Sequence, residues 1–374
     1  PRANVIESFF GLLSASRFTA TRFIFLRIHP KNPVVRSDID SASKYELLES
    51  FDQVLGFGLM ETPDMFEVPE HVFAKLKERE GLRENSNYDQ ADVIRSDLLN
   101  DGFLVSDTKK GAVSRTKNAS ELRNDKWQTI SASSEVSSAI LQENIYDFTI
   151  GIVLTGYPED ASRCIRSLLQ WTSEGTFEVI AIDNGSVDGT GEVLEELSSN
   201  HDNLEVLHTD HVLGDAAAKN ILIKKARGDI YVQLDPSVEI HGLFLGRIRE
   251  MLCDTEVGIV GLAGLRSHDL MHFHDGEGES GDMDAMQAYC LAFRRSDIRV
   301  IGLMRETFRF YRNLDIDFSF QFKDKGYRII ADATLPMTLH EHRAWNILSE
   351  GEREELSRKN FGRFLKKWRG RRDL

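Results

Sequence analysis

From Phe148 onward, short continuous apolar runs alternate with longer stretches whose apolar residues recur at helical spacing. Phe148–Gly156 (FTIGIVLTG) is followed, from about Asp160, by Cys164, Ile165, Leu168 and Leu169 on one face. Phe177–Asp183 (FEVIAID) is followed by Val193, Leu194 and Leu197, Leu204–Asp210 by Gly214–Ala226, and Asp229–Asp235 (DIYVQLD) by Pro236–Leu252. Apolar strands alternating with amphipathic helices predict an α/β fold, a mostly parallel sheet covered by helices. Right-handed crossovers bring every strand's C-terminal end to one edge, and ligand crevices of open α/β sheets lie outside that edge. Asp183 and Asp235 both stand at such ends.

Upstream the texture differs. Ile6, Phe9, Phe10 and Leu13 fit one helix; Leu47, Leu48, Phe51, Val54 and Leu55 fit another, opened by a capping box of Ser43 and Glu46. Asp89–Asp107 reads as a helix closed near Gly102 and followed by a short strand. These patterns predict a smaller, mainly helical N-terminal domain over residues 1–105, a packing or oligomerisation module. Residues 106–145 are polar and Ser-rich with no sustained apolar period and predict a linker, in which the sequon Asn118-Ala-Ser120 is expected to be a plain loop. A second domain is expected over 146–345, then a basic amphipathic helix within 346–374. In that tail Phe361, Phe364, Leu365 and Trp368 make an aromatic stripe amid basic residues. It can lie on an anionic membrane surface or dock on the second domain.

The chain has 374 residues and a formal charge of -14, which argues against a nucleic-acid partner, because phosphate neutralisation needs a basic face. Cys164, Cys253 and Cys290 are far apart, stand in apolar surroundings and are expected to be buried thiols of a reducing compartment. The apolar runs are about half as long as a membrane-spanning helix needs, and the first residues lack a basic-then-apolar export layout. The expected address is the cytoplasm, with contact to the inner face of a membrane depending on the tail. Neither a G-x-G-x-x-G turn nor a G-x-x-x-x-G-K-[ST] loop is present, which disfavours redox dinucleotides and P-loop chemistry.

Asp183-Asn184-Gly185-Ser186 and Asp188-Gly189-Thr190 follow an apolar strand. A carboxylate and an amide there can bond a ribose hydroxyl and a base edge; the same residues also favour an Asx-type turn. The wider order is more specific: VLTGYPED from Val153, AIDNGSVDGT from Ala181, AAAKN from Ala216, QLDPSVEI from Gln233, QAYCLAFRR from Gln287, LDIDFSF from Leu314, KGYRII from Lys325 and LHEH from Leu339. From Phe148 to about His342 this resembles the family 2 glycosyltransferases of the GT-A fold, the nucleotide-diphospho-sugar transferase fold.

The resemblance implies an inverting transfer of a sugar from a nucleoside-diphosphate sugar, UDP-sugar preferred, to an acceptor hydroxyl. It implies that Thr155, Tyr157, Asp183 and Asn184 line the nucleoside pocket. Lys219, where the family has Arg, would lie near the diphosphate. Asp235 matches the first acid of the family's D-x-D, and Ser237 replaces the second. A Mg2+ or Mn2+ ion is expected on Asp235 with His340 or His342, and Glu239 within reach. Asp315 would be the general base, with Leu314 in place of the preceding Glu; Asp317 is expected to be a cap or structural bond. Arg266–Cys290 is expected to be a mobile loop over the site. The rival readings are a degenerate nucleotide- or partner-binding module, suggested by Ser237, Leu314 and Lys219, and a sugar-nucleotide nucleotidyltransferase, disfavoured by the missing Gly-rich phosphate loop.

Overall fold

The computed structural model describes residues 69–108, 111–171, 175–269, 271–276 and 278–371. The helices expected around Phe9 and Phe51 lie outside them. The chain divides into two compact units, residues 1–116 and 117–374.

In the first unit, helices α1 (Glu70–Glu84) and α2 (Tyr88–Asn100) precede an antiparallel hairpin of β1 (Phe103–Thr108) and β2 (Gly111–Thr116). Its small core holds Val72, Leu98 and Val105. The buried Arg79 guanidinium donates to both oxygens of Asp107 at 2.7 and 3.0 Å, tying α1 to the hairpin.

The second unit opens with α3 (Ala119–Lys126) and β3 (Thr129–Ile130). Then come β4 (Tyr146–Leu154), α4 (Pro158–Gln170), β5 (Phe177–Asp183), α5 (Thr190–Ser198), β6 (Leu204–Thr209), α6 (Asp215–Lys225) and β7 (Gly228–Leu234), the alternation read from the sequence. Further along lie β8 (Val238–Ile240), α7 (Leu245–Leu252), β9 (Val257–Gly261), β10 (Gly264–Arg266), β11 (His274–Asp275), β12 (Gly281–Asp282), β13 (Ala285–Met286) and β14 (Cys290–Arg294). The chain ends with α8 (Ile298–Ile301), α9 (Leu314–Lys323), β15 (Arg328–Ala331), β16 (Met337–Leu339), α10 (Arg343–Asn346) and α11 (Glu350–Trp368).

Nine strands form one sheet in the order β12-β15-β9-β14-β7-β4-β5-β6-β3. The pairings from β7 through β4, β5 and β6 to β3 are parallel, while β14 runs antiparallel to both β7 and β9. Neighbouring residues of β5 enter opposite cores: Ile180 and Ile182 pack with α6 and α9, Val179 and Ala181 with α4 and α7. Such two-sided burial explains why the strands read as unbroken apolar runs. The chain steps outward from β4 to β5 and β6, then returns to β7 on the other side of β4. This reversal opens a crevice beyond the C-terminal ends of β4 and β7. The two strands approach so closely that a Cβ on Gly228 would stand 2.3 Å from the Phe148 carbonyl carbon.

Residues 117–145 correct the expected linker. Asn118 caps α3 in a capping box with Glu121, and β3 is the edge strand beside β6. Arg123, buried on α3, donates from Nε to the Thr209 carbonyl (2.7 Å), from Nη1 to the Ser186 carbonyl (2.5 Å) and from Nη2 to Asp183 Oδ2 (2.7 Å). Arg295, also buried, donates to the carbonyls of Ala139, Gln142 and Ala226. The segment is held largely by hydrogen bonds to buried carbonyls and a carboxylate, which leaves it polar, with Ile130, Val136 and Ile140 packed against the core.

Three other expectations change in detail, and one of two alternatives is decided. Cys253 is exposed and not a buried thiol. Val238 and Ile240, read as the start of a helix after Asp235, form β8 against β16, and α7 begins only at Leu245. Arg266–Cys290 is organised by short strands, with β10 between β11 and β13. The aromatic stripe of α11 docks: Phe364 and Trp368 are buried, Phe364 stacks edge-on with Phe320 of α9, and Trp368 Nε1 donates to Asp317 Oδ1 at 2.8 Å. Asp317 also accepts from Arg305 Nε at 2.8 Å, the structural bond expected of it. No helix among the described residues is long and apolar enough to cross a membrane.

Breaking a buried ion pair from one side strands the other charge. Arg123→Ala is therefore expected to lower the unfolding free energy by about 3–5 kcal/mol in a denaturant titration. Burial alone would push the Asp183 carboxyl up, but hydrogen bonds from His208, Ser186 and Arg123 hold it below the ordinary value of 3.8. Its stabilisation is complete above that value and drains as pH falls through the lower folded one. Arg123→Ala should flatten this acid limb.

Candidate active site

The crevice beyond β4 and β7 is lined by Thr155, Tyr157, Lys219 and Asp235, together with Tyr311, His342 and Arg343. Five of the candidate site residues read from the sequence, Thr155, Tyr157, Lys219, Asp235 and His342, thus meet in one place. Each is set there by a different local device.

Tyr157 caps α4 in a left-handed conformation at φ 66°, with Pro158 opening the helix behind it. A non-glycine residue holds that conformation only when its surroundings enforce it. The turn after β5 does so: Asp188 Oδ2 accepts the Tyr157 N–H at 2.7 Å, and Ser186 Oγ accepts the Gly156 N–H at 2.8 Å. Asp188 Oδ1 is bonded in turn by the Thr190 hydroxyl at 2.6 Å.

Asp235 stands at the end of β7, its N–H bonded to the Tyr289 carbonyl at 2.9 Å. Its Oδ1 accepts the Ser237 N–H (2.9 Å) and hydroxyl (2.5 Å), which orients the carboxylate. Oδ2 is turned toward His342 Nε2, 3.7 Å away. His342 stacks on Tyr311 with ring centroids 4.6 Å apart, and its buried Nδ1 has no protein partner. His340 points elsewhere, with Nε2 2.6 Å from Glu239 Oε2. The structure brings His342, and not His340, to Asp235. Among the described residues no three His, Cys, Asp or Glu side chains are grouped to hold an ion.

Lys219 is buried on α6, its ammonium 2.7 Å from Asp215 Oδ2 one turn earlier. Burial alone would pull its pKa down, but Asp215, helped by Asp235 and Asp315, raises it, so the cation persists. Asp215 also lines the crevice.

Asp315 is half-buried in the first turn of α9, which Asn313 opens at φ 65°. Its Oδ1 accepts the Ile316 N–H at 2.9 Å, and Oδ2 lies 3.4 Å from the N–H of Ala288, a residue of the crevice wall. Burial pushes this carboxyl above its ordinary value, against the pull of the Ile316 N–H and the Lys219 charge. Leu314, in place of the family's Glu, is in the core and 1% exposed.

Asp183 and Asn184 are not among the residues that line the crevice. Asp183 is 0% exposed, with Oδ2 shared by Arg123 and His208 Nδ1 and Oδ1 taken by the Ser186 N–H. Asn184 Oδ1 accepts the Leu213 N–H at 3.0 Å, and Nδ2 lies 3.4 Å from Thr155 Oγ1. The sequence reading missed Arg123, Asp160, Asp215, Tyr311 and Arg343. Asp215, one helical turn before Lys219, could have been found from spacing; Arg343 directly follows LHEH. Arg123 carried no pattern signal.

Residues 149–279 match the family model described as glycosyl transferase family 2. Among curated proteins, glycosyltransferase AglE of Haloferax volcanii is 35% identical over 104 residues, 28% of this chain and 34% of that protein. Cysteine–tRNA ligase 1 of Burkholderia lata is 44% identical over 79 residues, 21% of this chain and 17% of the ligase. The chain thus spans only about a third of the first relative and about a sixth of the second. Of solved structures, GalNAc-T7 with UDP, GalNAc and Mn2+ superposes with a TM-score of 0.50 at 14% identity, covering 60% of this chain and 49% of that one. The second unit is therefore built around a glycosyl transferase family 2 domain and has the GT-A fold.

Proposed function

We propose that the protein is an inverting glycosyltransferase that moves a sugar from a nucleoside-diphosphate sugar, UDP-sugar by preference, onto an acceptor hydroxyl. The observation that carries this reading is the meeting of Lys219, Asp235 and His342 in one crevice, with Asp315 close behind its wall, Oδ2 3.4 Å from the N–H of the lining residue Ala288. Thr155 and Tyr157 form the nucleoside side, and Lys219 faces the diphosphate. Asp183 and Asn184 contribute by holding that side in place.

Asp315 acts as the general base. It takes the proton of the acceptor hydroxyl as that oxygen bonds to the anomeric carbon; the bond from that carbon to the diphosphate oxygen breaks, and its electron pair leaves with the nucleoside diphosphate. A single displacement inverts the centre. A carboxyl raised by burial is better matched to this task than an ordinary aspartate.

The donor set also suits a divalent ion. The Asp235 carboxylate oxygen suits Mg2+ or Mn2+, and the His342 imidazole nitrogen, 3.7 Å away, is a ligand that Mn2+ takes more readily than Mg2+. When bound, the ion would offset the charge of the departing diphosphate. Two protein ligands make a weak site on their own, so ion and nucleotide should bind together.

Asp315→Asn is expected to keep donor binding and to slow transfer by about a hundred- to ten-thousandfold, measured as initial rates against bound donor. In the parent protein kcat/KM should fall about tenfold per pH unit on the acid side, with its midpoint above the ordinary aspartate value of 3.8. A variant that transfers at the parent rate would remove Asp315 from the role of base. In calorimetry, UDP should bind with Mn2+ present and lose most of its affinity in chelator. Ion-independent binding would leave Lys219 carrying the phosphate charge and refute the metal.

A further inference from the structure

The crevice is oddly charged for a diphosphate. Asp160, Asp215, Asp235 and Glu341 line it against two cations, Lys219 and Arg343. Lys219 is fixed one turn from Asp215 and already neutralised at 2.7 Å. Arg343 is held differently. It sits on α10, next in the chain to His342, and its guanidinium spans to the first turn of α4, with Nε 3.2 Å from Asp160 Oδ2 and Nη1 3.6 Å from Glu159 Oε2. The same group lies over the Tyr157 ring, 5.8 Å from its centroid.

We propose that Arg343 is a diphosphate-binding residue held in reserve, exchanging its carboxylate partners for phosphate oxygens when the donor enters. The inference rests on the reading of the crevice as a nucleotide-sugar site. Three features make the exchange inexpensive. Asp160 keeps a closer partner when Arg343 leaves, because Arg163 Nη1 stands 2.8 Å from its Oδ1. Glu159 has a side chain 71% exposed and returns to water. Neither acid is left buried and alone, the situation that makes breaking an ion pair costly. The guanidinium gains a better partner: its planar fork fits two oxygens of a phosphate, which the scattered contacts to Asp160 and Glu159 do not provide.

The exchange predicts opposite effects from its two sides. With Mn2+ present, Arg343→Gln should weaken UDP binding by about ten- to a hundredfold in calorimetry, and Arg343→Lys should recover only part of the loss. Binding of UMP, which lacks the second phosphate, should change far less. Glu159→Gln frees Arg343 from a competitor and should tighten UDP by up to about fivefold. GDP and GMP replace UDP and UMP if the parent protein prefers guanine. A parent that binds UDP or GDP while Arg343→Gln binds it equally well overturns the proposal alone; so does an equal loss for mono- and diphosphate, or a Glu159→Gln variant that binds more weakly. A parent that binds neither diphosphate overturns the donor-site reading, and this proposal with it.

Discussion

The second unit depends on keeping one buried carboxylate charged. Asp183 ends strand β5 with no exposure to water, and a lone carboxylate there would be costly enough to take up a proton. Arg123 and His208 prevent this by sharing Oδ2. Arg123 must then come from somewhere, and it comes from α3, ahead of the parallel core. The same guanidinium reaches the carbonyls of Ser186 and Thr209, so one side chain fastens the turns after β5 and β6. The order of the crevice rim follows from an electrostatic debt beneath it.

The parallel core was legible because two-sided burial writes itself as unbroken apolar runs, and the strand-helix alternation named the edge where the site lies. Thr155, Tyr157, Lys219 and Asp235 were legible as motif positions at that edge. The segment before β4 was not. Arg123 and Arg295 hold it through carbonyls and a carboxylate, interactions with no period along the chain, so a polar folded segment reads like a polar linker. The choice between His340 and His342 failed to show for a related reason. Just beyond the short strand β16, geometry and not spacing decides which ring faces Asp235.

The departures from the family pattern have distinct physical settings. Ser237 replaces an acid and uses its hydroxyl and N–H to aim the remaining one. Leu314 replaces another and fills the core beside Asp315, whose carboxyl is raised by burial against the pull of Lys219. Lys219 is neutralised within its own helix.

The loop bearing Tyr157 and the turn bearing Ser186 and Asp188 belong to different strands, yet their backbones are stitched together by two side chains. They therefore behave as one part. A redesign that grafts the first loop from another protein of this fold would carry over a Tyr157 equivalent without the hydrogen bonds that hold its left-handed backbone. The exchangeable module is the pair of segments, Thr155–Pro158 with Ser186–Thr190, and laboratory recombination along this scaffold should place its seams outside both.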